Sequence, residues 1–281
     1  MSTSTSSDPL PRLDLPALSA KADAVRRDVI KVCVANGAGH IAPSLSCVDL
    51  LTALYYRVMN IAADPLWDER DRLVFSKAHG GYGLYAILTD LGWIAHKDWE
   101  SFYQGGPLSG CLSRSPERGI EAGCGSLGHG LPQAVGLAFG ARLQKKRWSV
   151  YCVVGDGEMQ EGSNWEALQF ASKHELSDLV VVVDANALQA MDFLKDVLSP
   201  EDPVKDLREK LEAFGAETAV CAGHDMAALL EGFAGLKPGR RPRVLIARTV
   251  KGYGLRCMEG VAKFHFRLPT PEELEQGGRA L

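Results

Sequence analysis

The stretch VVGDGEMQEGSNWEALQFASKHELSDLVVVVDANALQ, residues 153–189, carries the strongest fold signal in the chain. It opens as an apolar strand, turns at Gly155-Asp156-Gly157, follows a helical period over 161–175, and closes in a second strand over 179–185. The VVVV run at 180–183 reads as a strand buried on both faces of a parallel sheet. Asp156 ends the first strand and Asn186 ends the second. Ligands on such sheets bind at the carboxyl ends of the strands, so both residues stand where chemistry is expected.

On either side of this unit the pattern continues. Helical periodicity covers 18–37, with Leu18, Ala22, Val25, Val29 and Val32 on one face and Gly37 at the stop. A second helix fits 46–60 with Ser46 as N-cap. RLVFSKAHG (72–80) reads as a short strand breaking into a glycine-rich helix start, and 130–146 as a helix with small residues on one side. Further helices fit 203–214 and 224–235, and strands fit 216–221 and 241–250. Alternating strands and helices imply an α/β fold, a mostly parallel sheet with helices on both faces. The Ser/Thr/Pro-rich start, 1–16, is expected to be a disordered lead-in, and 17–281 to form a single domain.

Composition narrows the function classes. The 281 residues are 46% hydrophobic and 23% charged, with net charge −4, which points to neither nucleic acid nor an anionic membrane. No apolar run reaches the length of a membrane span. The seven cysteines are scattered without a C-x-x-C pair, which favours reduced thiols and a cytoplasmic setting.

A diphosphate needs backbone N–H groups at close approach, which glycine permits, and a divalent ion held by oxygen ligands. Asp156 offers a carboxylate, Asn186 an amide carbonyl, and Leu188 a backbone carbonyl. Alone, Gly-Asp-Gly is equally a surface turn; set in a strand–turn–helix–strand unit ending in Asn, it points to a diphosphate–magnesium site. It lacks the Lys of a Walker loop and the G-x-G-x-x-G of a dinucleotide fold.

Several segments then resemble the thiamine diphosphate enzymes, specifically the N-terminal half of transketolases. They are GHIAPSLSCVDLLTALYYRVMNI, DRLVFSKAHGGYGLYAIL, GIEAGCGSLGHGLPQAVGLAFGARL, GDGEMQEGSNWEA and TVKGYGLRCME, in family order from about 17 to 280. The resemblance implies thiamine diphosphate and Mg²⁺ as cofactors. It assigns Asp156, Asn186 and the Leu188 carbonyl to the metal, Gly155, Gly157 and His79 to the diphosphate side, and Gly125, Ser126 and Leu127 to the thiamine. It assigns His40, His79 and His265 catalytic and cofactor contacts, and Glu161, with Glu166, a link across a subunit interface. His96, His129, His174 and His224 are left as structural. The implied chemistry is ketol transfer, in which a two-carbon unit moves from a ketose or 2-oxo donor to an aldehyde acceptor.

Three positions depart from the family. Gly110-Cys111-Leu112 stands where the family has Gly-His-Pro, the loop after LQ is AMDFL, and Phe266 follows His265 where Gly is usual. Cys111 and Phe266 are therefore read as specificity positions for a bulkier or less hydroxylated substrate. The resemblance is closest to split transketolases. It implies a partner chain carrying the pyrimidine-binding and C-terminal domains, an α2β2 assembly, and inactivity of this chain alone. Two other readings remain open: the α subunit of a 2-oxoacid dehydrogenase, which shares the GDG and Asn, and a non-catalytic scaffold that kept the fold.

Overall fold

The computed structural model describes residues 8–190, 192–198 and 201–276. Among these, five strands form one parallel sheet in the order β1-β2-β3-β5-β4. They are β1 Arg72–Phe75, β2 Val150–Gly155, β3 Leu179–Ala185, β4 Glu217–Ala222 and β5 Arg243–Arg248. Every residue of β2 and β3 is buried. Successive side chains on a strand point to opposite faces, so full burial requires cover on both.

The helix Gly130–Leu143 packs on β1 and β2, with Ala134, Ala138 and Ala141 buried in it. Pro203–Ala213 and Met226–Gly235 cover β4 and β5. After β3 the chain crosses to the β4 edge and returns to insert β5 between β3 and β4. Connections diverge there, and a crevice opens at the carboxyl end of the sheet beside β3. No helix among the described residues is long and apolar enough to cross a membrane.

Two expectations need correction. The lead-in is not disordered through residue 16. Pro9 bridges Ala62, Leu10 N–H donates to Ile61 O (2.9 Å), and Leu13 N–H donates to Tyr56 O (3.0 Å). Leu10 and Leu13 supply apolar surface that packs on the core, and the helix starts at Leu15, capped by Asp14, which accepts from Ala17 N–H. Residues 1–7 lie outside the described residues.

The single helix over 46–60 is instead two pieces, Val48–Ala53 and a π-helical turn Leu54–Val58, and a separate short helix, Ile41–Leu45, precedes them. Ser46 is not an N-cap: it closes the helix Ile41–Leu45, Cys47 stands at the start of Val48–Ala53, and the Ser46 hydroxyl donates to Asp184 Oδ2 at 2.8 Å. A side chain drawn into a buried polar layer cannot also satisfy the first N–H groups of a helix.

Candidate active site

A cleft of about 380 Å³ lies at the carboxyl ends of the strands. The end of β1 contributes Lys77 and His79; β2 contributes Gly155, Asp156 and Gly157; β3 contributes Asn186 and Leu188; β5 contributes Lys251. His40, which precedes the short helix Ile41–Leu45, and His265, which closes the 3₁₀ turn Ala262–His265, complete the wall. Residues far apart in sequence meet because every parallel strand ends on the same side of the sheet.

Beneath the cleft sits a closed polar layer. Asp184 is wholly buried. Its Oδ2 accepts from Lys77 Nζ, from Ser46 Oγ (2.8 Å) and from Asn186 Nδ2 (2.9 Å), and its Oδ1 accepts from Thr249 Oγ1. Burial alone would raise its pKa, but the Lys77 ammonium and these donors hold it at about 2. Lys77 Nζ also donates to Pro43 O (3.0 Å) and Ser46 Oγ (3.0 Å). Each charge in this layer has its counter-charge and its hydrogen bonds, which is the condition for burying an ion pair.

Asn186 is oriented by that layer. Its Nδ2 must be the atom facing Asp184, since a carboxylate only accepts. Its Oδ1 takes the Leu188 N–H (3.0 Å) and keeps a second lone pair. Asp156 Oδ2 accepts from Ala187 N–H at 2.6 Å, the residue between Asn186 and Leu188, and Oδ1 accepts from Gly157 N–H at 2.8 Å. Ala187 holds φ 58°, a left-handed conformation that costs a non-glycine residue about 1–3 kcal/mol. That strain bends the chain so that 186 and 188 line the cleft beside Asp156.

Asp156 is buried and its pKa is pushed up to about 7, by burial first and then by the Asp184 carboxylate. Lys77 offsets this only in part, since its ammonium is paired with Asp184. A buried carboxylate beside an amide oxygen and a backbone carbonyl, with no cation in contact, is a donor set that fits a hard divalent ion. Among the described residues no cluster of three or more His, Cys, Asp or Glu offers an alternative metal site.

Three imidazoles and a lysine line the same cleft. His79 and His265 stand with ring centroids 5.0 Å apart, and His40 is 6.0 Å from His79 and 5.7 Å from His265. Lys251 Nζ donates to Gln189 O (2.9 Å) and lies 2.8 Å from His265 Nδ1. Burial, then the neighbouring lysines and imidazoles, lower His79 to about 2 and His265 to about 3. Burial and Lys251 lower His40. Burial and Lys77 bring Lys251 down to about 8. Groups that can carry a proton are crowded here with little negative charge to hold one, which fits an anion in the cleft, and a diphosphate fits the glycine turn beside it.

Other expected residues fall into place unevenly. Gly125, Leu127, Glu161 and Phe266 line the cleft; Ser126 and Glu166 are exposed and do not. Cys111 is exposed and outside the lining, next to it: its Sγ would lie 3.2 Å from a Cβ at Gly125. Phe266 reaches over the mouth, 65% exposed, its ring 5.3 Å from His40 and 4.5 Å from His265. His174 packs on Phe170, and His96 and His129 adjoin helix starts.

Sequence reasoning missed Lys77, Glu158, Asp184 and Lys251. Glu158 is buried; its Oε1 accepts from Ser76 Oγ and Gly128 N–H (3.0 Å), and its Oε2 from Gly155 N–H (3.2 Å). It ties the 125–130 loop to the glycine turn. The available signal was charge in apolar company: Glu158 just after GDG, Asp184 ending VVVV, and Lys77 and Lys251 just past strands.

Comparison with known proteins agrees with this geometry. Residues 18–275 match the family described as transketolase, thiamine diphosphate binding domain. The chain is 39% identical over 267 residues to one of the subunits of apulose-4-phosphate transketolase from Actinobacillus succinogenes, covering 94% of this chain and 95% of that one. It is 33% identical over 272 residues to the 6-deoxy-6-sulfo-D-fructose transketolase subunit of a Clostridium species, covering 93% and 97%. Against the crystal structure of Campylobacter jejuni transketolase the TM-score is 0.84 at 26% identity, covering 95% of this chain but 42% of that chain.

Proposed function

This chain belongs to the transketolase family as its N-terminal, thiamine diphosphate-binding part, and we propose that it is one half of a two-chain enzyme that moves a two-carbon ketol unit from a ketose phosphate to an aldehyde. The observation that carries the reading is the cleft itself. Asp156, Asn186 and Leu188 line one cleft together with three imidazoles and a lysine, at the ends of four parallel strands.

In this reading Asp156, Asn186 Oδ1 and the Leu188 carbonyl would hold Mg²⁺. Lys251 would supply positive charge to the diphosphate and His79 a ring N–H. When bound, thiamine diphosphate supplies the electron sink that makes cleavage beside a ketose carbonyl accessible. His40 and His265 are neutral imidazoles at the mouth, and each can take a hydroxyl proton and return it. Leu127 gives the thiamine an apolar contact. Glu161 faces outward at the rim, where a second chain completes the site.

Two relatives are each named as a single lettered part of a transketolase and are matched over nearly their whole length, which supports a separate partner chain. A partner carrying the pyrimidine-binding domain, an α2β2 assembly and a cytoplasmic setting follow as part of the proposal. The relatives' named substrates and the apolar Phe266 at the mouth favour a ketose other than the common pentose phosphates.

The test is a donor panel on the reconstituted two-chain enzyme: apulose 4-phosphate, 6-deoxy-6-sulfo-D-fructose and xylulose 5-phosphate, each with an aldehyde acceptor. Turnover of apulose 4-phosphate or the sulfo sugar only when both chains are present supports the proposal. Full activity of this chain alone contradicts the partner requirement. Ordinary turnover of xylulose 5-phosphate with ribose 5-phosphate contradicts the altered specificity, and Phe266→Gly should raise use of that pair.

A further inference from the structure

A second buried polar cluster lies outside the cleft. His224 sits in the loop between β4 and the helix Met226–Gly235, its side chain 12% exposed. Its Nε2 accepts the Val250 N–H at 2.8 Å. A backbone N–H only donates, so Nε2 is unprotonated and the ring proton is on Nδ1. Nδ1 therefore donates to Asp49 Oδ2, 2.7 Å away. Asp49 in turn pairs with the Arg26 guanidinium. The imidazole also lies flat on Tyr253, centroids 3.6 Å apart and planes 10° from parallel, and Arg26 covers Tyr253 at 4.9 Å.

Both ring nitrogens, the ring face and the counter-ion are thus committed to a single orientation, and what that orientation holds is the turn after β5. The residue after Val250 is Lys251, whose ammonium reaches Gln189 O and His265 in the cleft. The turn is fixed on its other side as well. Gly252 N–H donates to Ala42 O (2.9 Å), and Gly260 N–H donates to Lys251 O (2.8 Å). Gly252 has φ +82°, and a Cβ there would lie 2.5 Å from Met258 O, so the backbone has no slack. Gly223, beside His224, sits as tightly: its N–H donates to Arg248 O (2.7 Å), and a Cβ would meet Thr249 Cγ2 at 2.5 Å.

We propose that His224 is a positioning residue for Lys251: through the Val250 N–H and the stack on Tyr253, it transmits the anchoring of Asp49 and Arg26 to the turn that aims the Lys251 ammonium into the cleft. The inference rests on the reading that Lys251 faces a diphosphate. The Asp49–His224–Val250 chain orients a charged group that itself touches the ligand, as an outer hydrogen-bond partner does for a metal ligand.

The test is a double-mutant cycle on thiamine diphosphate affinity, with Mg²⁺, in the chain assembled with its partner. His224→Phe keeps the stack and removes both hydrogen bonds; Lys251→Met removes the ammonium. His224→Phe should weaken binding about tenfold, the size expected from losing one well-placed interaction. On the His224→Phe background, Lys251→Met should then cost far less than in the wild type.

Losses that multiply independently, within about twofold, overturn the inference. Wild-type protein that binds no thiamine diphosphate overturns the cofactor reading, and the inference with it. If His224→Phe does not fold, ¹⁵N NMR of the wild-type full chain still decides the arrangement: the Nδ1–H tautomer at His224 is required, and the Nε2–H tautomer contradicts it. His224→Gln, which can still offer an oxygen to the Val250 N–H, should bind thiamine diphosphate more tightly than His224→Phe. Equal loss in the two variants counts against the inference.

Discussion

Two polar layers meet at the carboxyl end of the sheet, and they are built oppositely. The lower one, Lys77 with Asp184, Ser46, Thr249 and Asn186, is closed: each charge faces an opposite charge and each donor an acceptor. The upper one, His40, His79, His265, Lys251 and Asp156, is open: three imidazoles held neutral by burial and by one another's company crowd a lysine, and the Asp156 carboxylate has no cation in contact. The lower layer is complete as folded. The upper layer is completed by something that brings both a cation to Asp156 and negative charge to the imidazoles, and a metal diphosphate does both. Position on one face of the sheet does not separate the two; the accounting of partners does.

The contrast is widest between the two lysines. Lys77→Met removes the counter-ion of a wholly buried carboxylate and should destabilise the chain by about 3–5 kcal/mol, read as a large drop in melting temperature. Lys251→Met removes a desolvated, crowded cation and should leave the melting temperature of the ligand-free chain within about 1 kcal/mol of wild type, or raise it. Equal losses in the two variants would erase the distinction between layers.

Next in size is Glu158→Gln. Glu158 is buried and accepts from Ser76, Gly128 and Gly155. An amide cannot reproduce three accepted bonds, so one N–H or hydroxyl loses its partner at about 1–3 kcal/mol. The loss should appear in stability and also in faster hydrogen exchange over 125–130. Unchanged exchange there would show that Glu158 does not hold the loop.

The smallest effect is on pH dependence. His79 and His265 are held at about 2 and about 3, below the ordinary 6.5. At these two rings the unfolded chain binds more protons than the folded one between pH 6.5 and about 3, so their contribution to stability falls as the pH drops through that window; Asp156, raised to about 7, takes its proton earlier in the folded chain and offsets part of that loss. The slope is at most about 1.4 kcal/mol per pH unit per ring, and less for half-exposed His265. Above pH 6.5 these rings are neutral in both states and contribute no slope. A bound diphosphate reverses the sign of the perturbation, so pyrophosphate binding near pH 6 should take up protons. Calorimetry in two buffers of different ionisation enthalpy reads that uptake; zero uptake would mean that the imidazoles do not face the anion.

Much of this was legible in the sequence. The strand–GDG–helix–strand run announced the sheet and the site together, because an apolar strand and a glycine turn are local signals. Asp156, Asn186 and Leu188 were readable for the same reason. The supporting layer was not, since nothing local says that Lys77 meets Asp184 or that Ser46 is drawn away from its helix. Such pairings follow from strand order, which periodicity does not give. The ordering of residues 8–14 was missed because composition described residues 1–7 while Leu10 and Leu13 decided the rest.

Whether Asp156 and Asn186 close on a divalent ion carrying a diphosphate is decided by titrating thiamine diphosphate into the assembled protein with Mg²⁺ and with chelator, for wild type and Asp156→Asn. Tight binding is expected only in wild type with Mg²⁺, with a loss of at least about a hundredfold in either other condition, and an Asp156→Asn chain at least as stable as wild type without ligand. Equal affinity with and without the metal, or an Asp156→Asn chain that binds as wild type does, would contradict the site described above.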